Sequence, residues 1–85
     1  MIDQLLLNIS LLEKDVMREH KKQIDKWGVQ DVSPFEWMCF LTEEVGELAQ
    51  AISECEYRGG KEEDVYKEAI QVASLSLKIA EMYLA

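Results

Sequence analysis

Two segments of the chain carry glutamates at positions where a helix would bury apolar side chains. Between residues 35 and 56, apolar residues recur at helical spacing and form one continuous arc when about 100° separates successive residues. Glu44 falls inside this arc and Glu47 lies at its edge. Further along the chain, Glu68 falls inside a second apolar arc and Gln71 follows one turn later. Burying an unpaired carboxylate is costly, so we expect a positive group to meet these side chains.

The spacing of these carboxylates favours a divalent cation as that group. Glu44 and Glu47 are three residues apart, which places their Cβ atoms about 5–6 Å apart on a helix, and Glu43 directly precedes them. Like charges this close repel one another, and a divalent cation between them reverses the sign of the interaction. Mg²⁺ prefers oxygen ligands and is commonly held by carboxylates together with substrate phosphates. Three glutamates from one helix and Glu68 from another could hold one or two Mg²⁺ ions, or Mn²⁺ in their place.

Two structural interpretations of the same glutamates stay open at this point. Glu43 and Glu44 could form a solvated acidic face, which is the usual environment of charged pairs on helices. Alternatively, Glu44 could form a buried salt bridge with Lys67 or Lys78. Both alternatives predict a stable helix surface with no ligand.

Helices are predicted throughout the chain, and the first two have clear boundaries. One apolar stripe predicts a first helix from Ile2 to about Lys26, which Gly28 ends. The segment Ser33-Pro34-Phe35-Glu36 offers an N-cap, a proline at the first helical position and a glutamate that closes a capping box. We therefore predict a second helix from this segment to about Tyr57.

A third helix follows a glycine turn. The second helix is predicted to stop at Arg58-Gly59-Gly60, where glycine can supply the left-handed cap. The acidic residues 62–64 suit the positive start of a helix that continues to about Leu84. The predicted fold is all-α, an antiparallel bundle of three main helices that forms a single domain over residues 1–85.

The small size of the chain predicts self-association. A domain of 85 residues buries only roughly 60% of its unfolded surface, and the third helix is apolar around more than half of its circumference. A homodimer or tetramer, with the second and third helices paired across a two-fold axis, would cover that surface. Cys39 and Cys55 lie on one helix about 24 Å apart, too far for a disulfide, so we expect buried and reduced thiols.

Charge and hydropathy restrict the partners and the location. A net charge of −8 argues against DNA or RNA, because phosphate backbones require a basic surface. A phosphorylated small molecule is compatible with an acidic site that holds divalent cations. No apolar run approaches the roughly 20 residues of a membrane span, and the first twelve residues lack the basic region of a signal peptide. We therefore expect a cytoplasmic protein with no membrane partner.

The glutamates and the stretch before them resemble the MazG-like all-α nucleoside triphosphate pyrophosphohydrolases. The pattern Glu43-Glu44-x-x-Glu47, followed by Glu68-x-x-Gln71, is similar to the EExxE…ExxD signature of that family. The stretch that ends in the letters KWGVQ, with Trp37 further on, is similar to the sequence that precedes the signature in short single-domain members. The similarity extends over residues 19–81.

This resemblance implies that a (deoxy)nucleoside triphosphate is hydrolysed to the monophosphate and pyrophosphate at a Mg²⁺ site, in nucleotide-pool housekeeping. It implies metal ligation by Glu44, Glu47 and Glu68, with Gln71 at the fourth position. Glu43 would be a further ligand or would orient the attacking water, so that Glu43, Glu44 and Glu47 are the candidate catalytic residues. Gln71 stands where the family has aspartate, which removes one negative charge. The alternative is therefore a non-catalytic dimeric helical module of the same descent that binds a nucleotide or a protein.

Candidate substrate-binding residues lie near the end of the first helix and on the third. Lys26 and Lys78 could each contact a phosphate, although lysines on helix surfaces are usually solvated. Trp27 could stack on a nucleobase, but a tryptophan at the end of an apolar stripe is more often part of a core. Gln30 closes the KWGxQ stretch and completes the set of candidate substrate-binding residues: Lys26, Trp27, Gln30 and Lys78.

Overall fold

The protein, seen in a computed structural model, is built from three α-helices. The structure describes the backbone of residues 2–27 and 32–84 and the side chains of residues 8–26 and 32–84. The helices are α1 (Ile2–Trp27), α2 (Pro34–Tyr57) and α3 (Glu62–Met82), and the described residues include no strand. The predicted all-α fold and its three helices are confirmed.

Local sequence signals determine where α2 begins and ends. The Ser33 hydroxyl accepts a hydrogen bond from the backbone N–H of Glu36 at 3.2 Å, which confirms the predicted N-cap. After α2, Gly59 has a φ of +74°, a conformation that side chains with a Cβ rarely adopt. The next residue, Gly60, donates its N–H to the Glu54 carbonyl at 2.8 Å, and a Cβ on Gly60 would lie 2.9 Å from the Glu54 backbone. The α2–α3 turn therefore requires both glycines.

In this arrangement α3 packs against both of the other helices. It runs antiparallel to α2, because Lys78 near its end lies over the Trp37 ring near the start of α2. It runs parallel to α1, since hydrogen bonds join both Tyr66 to Asp15 and Ser74 to Gln23. Between the described parts of α1 and α2 there is no close backbone approach. The chain direction alternates from helix to helix, as an antiparallel bundle requires.

The core of the described part of the chain is small. Leu75 is the only apolar residue there that is buried, and the polar residues Ser74 and Gln23 are buried as well. Among the described residues α2 is covered only by α3, and Cys39 is exposed while Cys55 is half-buried. The prediction of two buried thiols is therefore wrong. Within the described residues, none of the helices combines the length and apolar character needed to cross a bilayer.

Candidate metal centre

Three carboxylates from two helices meet between α2 and α3. Glu44 and Glu47 lie one turn apart on α2, and Glu68 faces them from α3. One carboxylate oxygen of each residue lies within 4.8 Å of the other two. Two oxygens that ligate the same Mg²⁺ are at most about 4.2 Å apart, so small side-chain rotations would bring this set onto one ion. The predicted meeting of these glutamates is observed.

Gln71 completes the group of four side chains. Its amide end lies between the two half-buried carboxylates, 2.8 Å from Glu44 Oε2 and 3.1 Å from Glu68 Oε2 with the nitrogen turned toward them. In this orientation the amide donates one hydrogen bond to each carboxylate. With the amide turned over, its oxygen would instead face the same point as the carboxylate oxygens.

The electrostatics of the site centre on Glu44. The pKa of the Glu44 carboxyl is raised to about 7, and burial is the largest cause. The neighbouring charge of Glu47 and a hydrogen bond and charge from Glu68 act in the same direction. Each of these causes disfavours the ionised form, and a cation among the three carboxylates would oppose all of them.

No lysine supplies the missing positive charge in the described part of the chain. The ion pairs there join Arg18 to Asp15, Arg58 to Glu54 and Lys67 to Glu63, so none of them reaches Glu44. Lys78 instead donates to the side-chain oxygen of Gln23 and lies 5.4 Å from the centre of the Trp37 ring. Neither Lys67 nor Lys78 forms the salt bridge with Glu44 that was one of the open alternatives.

The composition of the site suits a hard divalent cation. Comparisons with protein-family models, with curated proteins and with solved structures found no match to this chain. The residues of the group offer three carboxylates and one amide oxygen as possible metal ligands, without imidazole or thiolate. Such a set fits Mg²⁺, Mn²⁺ or Ca²⁺ better than the metals that prefer nitrogen or sulfur.

The other predicted site residues lie outside this group. Glu43 is exposed on α2, one residue before Glu44, and does not belong to the carboxylate cluster. Lys26 is exposed in the last turn of α1. The side chain of Trp27 and the whole of Gln30 lie outside the described residues. Lys78 is half-buried and forms the contacts given above.

A cleft of about 360 Å³ borders the carboxylates on the side of the α2–α3 turn. Glu47, Glu68 and Gln71 line it, together with the amines Lys61 and Lys67. Lys61 was not predicted as a site residue, because its position depends on the turn that Gly59 and Gly60 form. The cleft extends the candidate site away from Lys78.

Gln23 is the second residue that the sequence analysis missed. Its side chain is only 6% exposed and bonds to Glu19, Ser74 and Lys78. A signal for its burial exists, because Gln23 falls seven residues after Val16 on the apolar stripe of the first helix.

Proposed function

We propose that this protein is a Mg²⁺-dependent nucleoside triphosphate pyrophosphohydrolase of the MazG-like type. Its substrate would be a (deoxy)nucleoside triphosphate, and its products the monophosphate and pyrophosphate. The observation that carries the proposal is the convergence of Glu44, Glu47, Glu68 and Gln71 from two helices on one point. These are four of the five residues in the pattern that resembles the family signature.

The charge of the cleft agrees with a substrate that arrives with cations. Acidic side chains outnumber amines along its walls, which would repel a bare triphosphate. A divalent cation held by the carboxylates supplies charge neutralisation for the phosphates and Lewis acidity for attack by water. Lys61 and Lys67 then offer amines for the phosphates, and the exposed Glu43 is the candidate for orienting the water. The cleft volume is within the usual range for small-ligand sites.

The protein is further proposed to act as a homodimer or a tetramer. Its accessible surface of 6882 Å² exceeds by roughly 1,700 Å² the area expected for a compact monomer of its mass. Its radius of gyration of 14.2 Å exceeds the roughly 12 Å expected for this length. Met38, Val45 and Ile52 form an exposed stripe on α2, with one residue every seven positions. A second copy on this stripe would cover surface that the protomer leaves open.

Pyrophosphate release tests the proposed activity. Purified protein is incubated with Mg²⁺ and a panel of ribo- and deoxyribonucleoside triphosphates, and the pyrophosphate and monophosphate products are measured. We expect turnover of at least one substrate, its loss in Glu68→Gln, and its retention in the matched control Glu13→Gln on the exposed side of α1. Absence of turnover for every substrate, with an unchanged melting temperature in Mg²⁺ plus nucleotide, would contradict the proposal.

One observation favours the second candidate, a non-catalytic nucleotide- or protein-binding module. The Gln71 amide can donate to both Glu44 and Glu68, so the cluster can be satisfied in part without a metal. An increase of the melting temperature by nucleotide, without any pyrophosphate release, would support this candidate over the enzyme.

A further inference from the structure

The exposed stripe on α2 lies to one side of the contact with α3. Trp37 and Glu44 face α3 and are seven residues apart. Met38 and Val45 each follow one of them by a single residue, and Ile52 continues the same spacing. The stripe is therefore turned by about 100° around the helix axis from the line that faces α3. Each of its three residues is about half exposed.

The surface around the stripe carries no charge. Thr42 and Ala49 are exposed beside it, and together these residues form what we call the α2 face: Met38, Thr42, Val45, Ala49 and Ile52. The Thr42 hydroxyl donates to the Met38 carbonyl of its own helix at 2.8 Å, so it can be covered without losing a hydrogen bond. The helix has six glutamates and no lysine or arginine, and five of the glutamates fall within an arc of about 100° on its opposite side. A partner on the α2 face therefore buries none of these five charges.

The sixth glutamate, Glu56, lies four residues beyond Ile52 in the last turn of α2. A negative charge there is unfavourable, because the C-terminal end of a helix dipole is itself negative. The neighbouring Glu54 pairs with Arg58 at 3.5 Å, whereas none of the ion pairs between described residues includes Glu56. The positive start of another helix would stabilise this carboxylate.

A second copy of α2 that runs in the opposite direction offers both of the missing surfaces. Its own α2 face is an equally uncharged surface, and its first turn is a positive helix start beside Glu56. The available area is sufficient, because each protomer buries about 800 Å² in an interface of ordinary size. The protomer exposes roughly 1,700 Å² more than a compact monomer of its mass would.

We propose that two copies of this chain pair through the α2 face, with antiparallel α2 helices and a two-fold axis beside Val45. Met38 then meets Ile52 of the partner subunit, as a two-fold axis requires. Glu56 lies next to the first turn of the partner's α2, which begins at Pro34. A parallel pair would instead bring the two Glu56 carboxylates together. The proposal rests on the dimer of the proposed function and does not depend on its metal site or its activity.

Disulfide formation between single cysteines tests this pairing. In a background of Cys39→Ser and Cys55→Ser, Val45→Cys should cross-link to its own copy under mild oxidation. Met38→Cys and Ile52→Cys should each fail to do so, because like positions lie about 21 Å apart along the pair. A disulfide requires Cα atoms within about 7 Å. An equal mixture of the Met38→Cys and Ile52→Cys proteins should cross-link.

The other cross-linking patterns would overturn the proposal. Met38→Cys and Ile52→Cys that each link to their own copy, without a link in the mixture, would show a parallel pair. A dimeric mass without a link through Val45→Cys would place the interface on another surface, and a monomeric mass at all concentrations would overturn the dimer as well. Gln50→Cys is the matched control, since Gln50 is exposed beside the cleft and should give no link.

A charge reversal tests the same pairing with both native cysteines in place. Glu56→Lys puts a positive charge beside the positive start of the partner's helix, so the dissociation constant of the dimer should rise by roughly tenfold. Glu13→Lys, on the exposed side of α1, should leave this constant unchanged. An unchanged constant for Glu56→Lys would overturn the antiparallel arrangement. If the pairing is found but no nucleoside triphosphate is hydrolysed, the proposed enzyme is wrong and the pairing stands.

Discussion

Lys78 on α3 donates a hydrogen bond to the side-chain oxygen of Gln23 on α1, so this lysine joins two helices. The same oxygen accepts from Ser74 Oγ at 3.3 Å, and Gln23 Nε2 donates to Glu19 at 3.1 Å. Burial lowers the pKa of the Lys78 amine, while the charges of Glu19 and Glu81 act in the opposite direction. A buried amide thus connects α1 to α3 beside Leu75, where few apolar contacts are available.

Replacing this amide by an apolar side chain of similar size should destabilise the protein. In Gln23→Leu, the half-buried Lys78 and the buried Ser74 lose their acceptor, so we expect the free energy of unfolding to fall by about 2 kcal/mol. Urea denaturation followed by circular dichroism measures this change. The neighbouring exposed residue offers a control, since Lys22→Ala should shift the free energy by no more than about 0.5 kcal/mol. Equal denaturation midpoints for Gln23→Leu and the unaltered protein would show that the network carries no net stability.

Neutralising Glu44 should separate metal binding from folding. Glu44→Gln removes a carboxylate that two like charges face, so we expect the metal-free melting temperature to stay equal or to rise. Mg²⁺ affinity should fall by roughly tenfold or more, because one of three charged ligands is lost. Calorimetric titration with Mg²⁺ and thermal denaturation in a chelator measure the two effects. If Glu44→Gln unfolds in the chelator, Glu44 instead makes a bond that stabilises the fold. Glu13→Gln is the control for the loss of one exposed charge.

The raised pKa of Glu44 predicts a dependence of stability on pH. The carboxyl titrates at about 7 in the folded protein and near 4.5 when unperturbed. Between these values the folded chain binds more protons than the unfolded chain, so the free energy of unfolding falls as the pH rises through this window. The metal-free melting temperature should therefore be higher at about pH 5.5 than at about pH 7.5.

The same group should control metal affinity in the opposite direction. Because Mg²⁺ must displace the proton of Glu44, affinity should increase over the window in which metal-free stability decreases. Melting curves of the unaltered protein and of Glu44→Gln are recorded in chelator at both pH values. Because both proteins share the other carboxyl groups, the difference between their pH dependences is the contribution of Glu44. If both proteins show the same pH dependence, the effect comes from the overall net charge and not from Glu44.

Much of the helix layout could be predicted because its signals are local. Ser33, Pro34 and Glu36 define the start of α2 within four residues, and Gly59 supplies the positive φ that ends it. The position of Glu44 inside an apolar arc could also be predicted, because it follows from the helical period alone. A short turn then makes α2 and α3 neighbours, so the meeting of Glu44 with Glu68 follows from topology.

Features that depend on which helices touch could not be predicted in this way. Cys39 was expected to be buried because it lies on an amphipathic helix, but α1 packs against α3 and leaves that side of α2 open. The contact between Gln23 and Lys78 joins residues 55 positions apart on parallel helices. Sequence periodicity identifies an apolar face and does not say which surface covers it, whether in the same chain or in another copy.

The exposed stripe on α2 makes the proposed dimer testable. Ile52 is 45% exposed and Val45 47%, so nearly half of each residue is open to solvent in the protomer. We expect the unaltered protein to have twice the protomer mass in light scattering coupled to size exclusion. Ile52→Glu would place a charge between two apolar stripes, so it should shift the mass to that of the monomer and lower the melting temperature.

The control substitution introduces the same side chain two residues earlier. Gln50 is exposed on the other side of α2, where it borders the cleft, so Gln50→Glu should leave the mass unchanged. If Ile52→Glu retains the dimer mass, the stripe is not the interface and another surface must associate. A monomeric mass for the unaltered protein at all concentrations would contradict the dimer itself, because a weak dimer re-forms as the concentration rises.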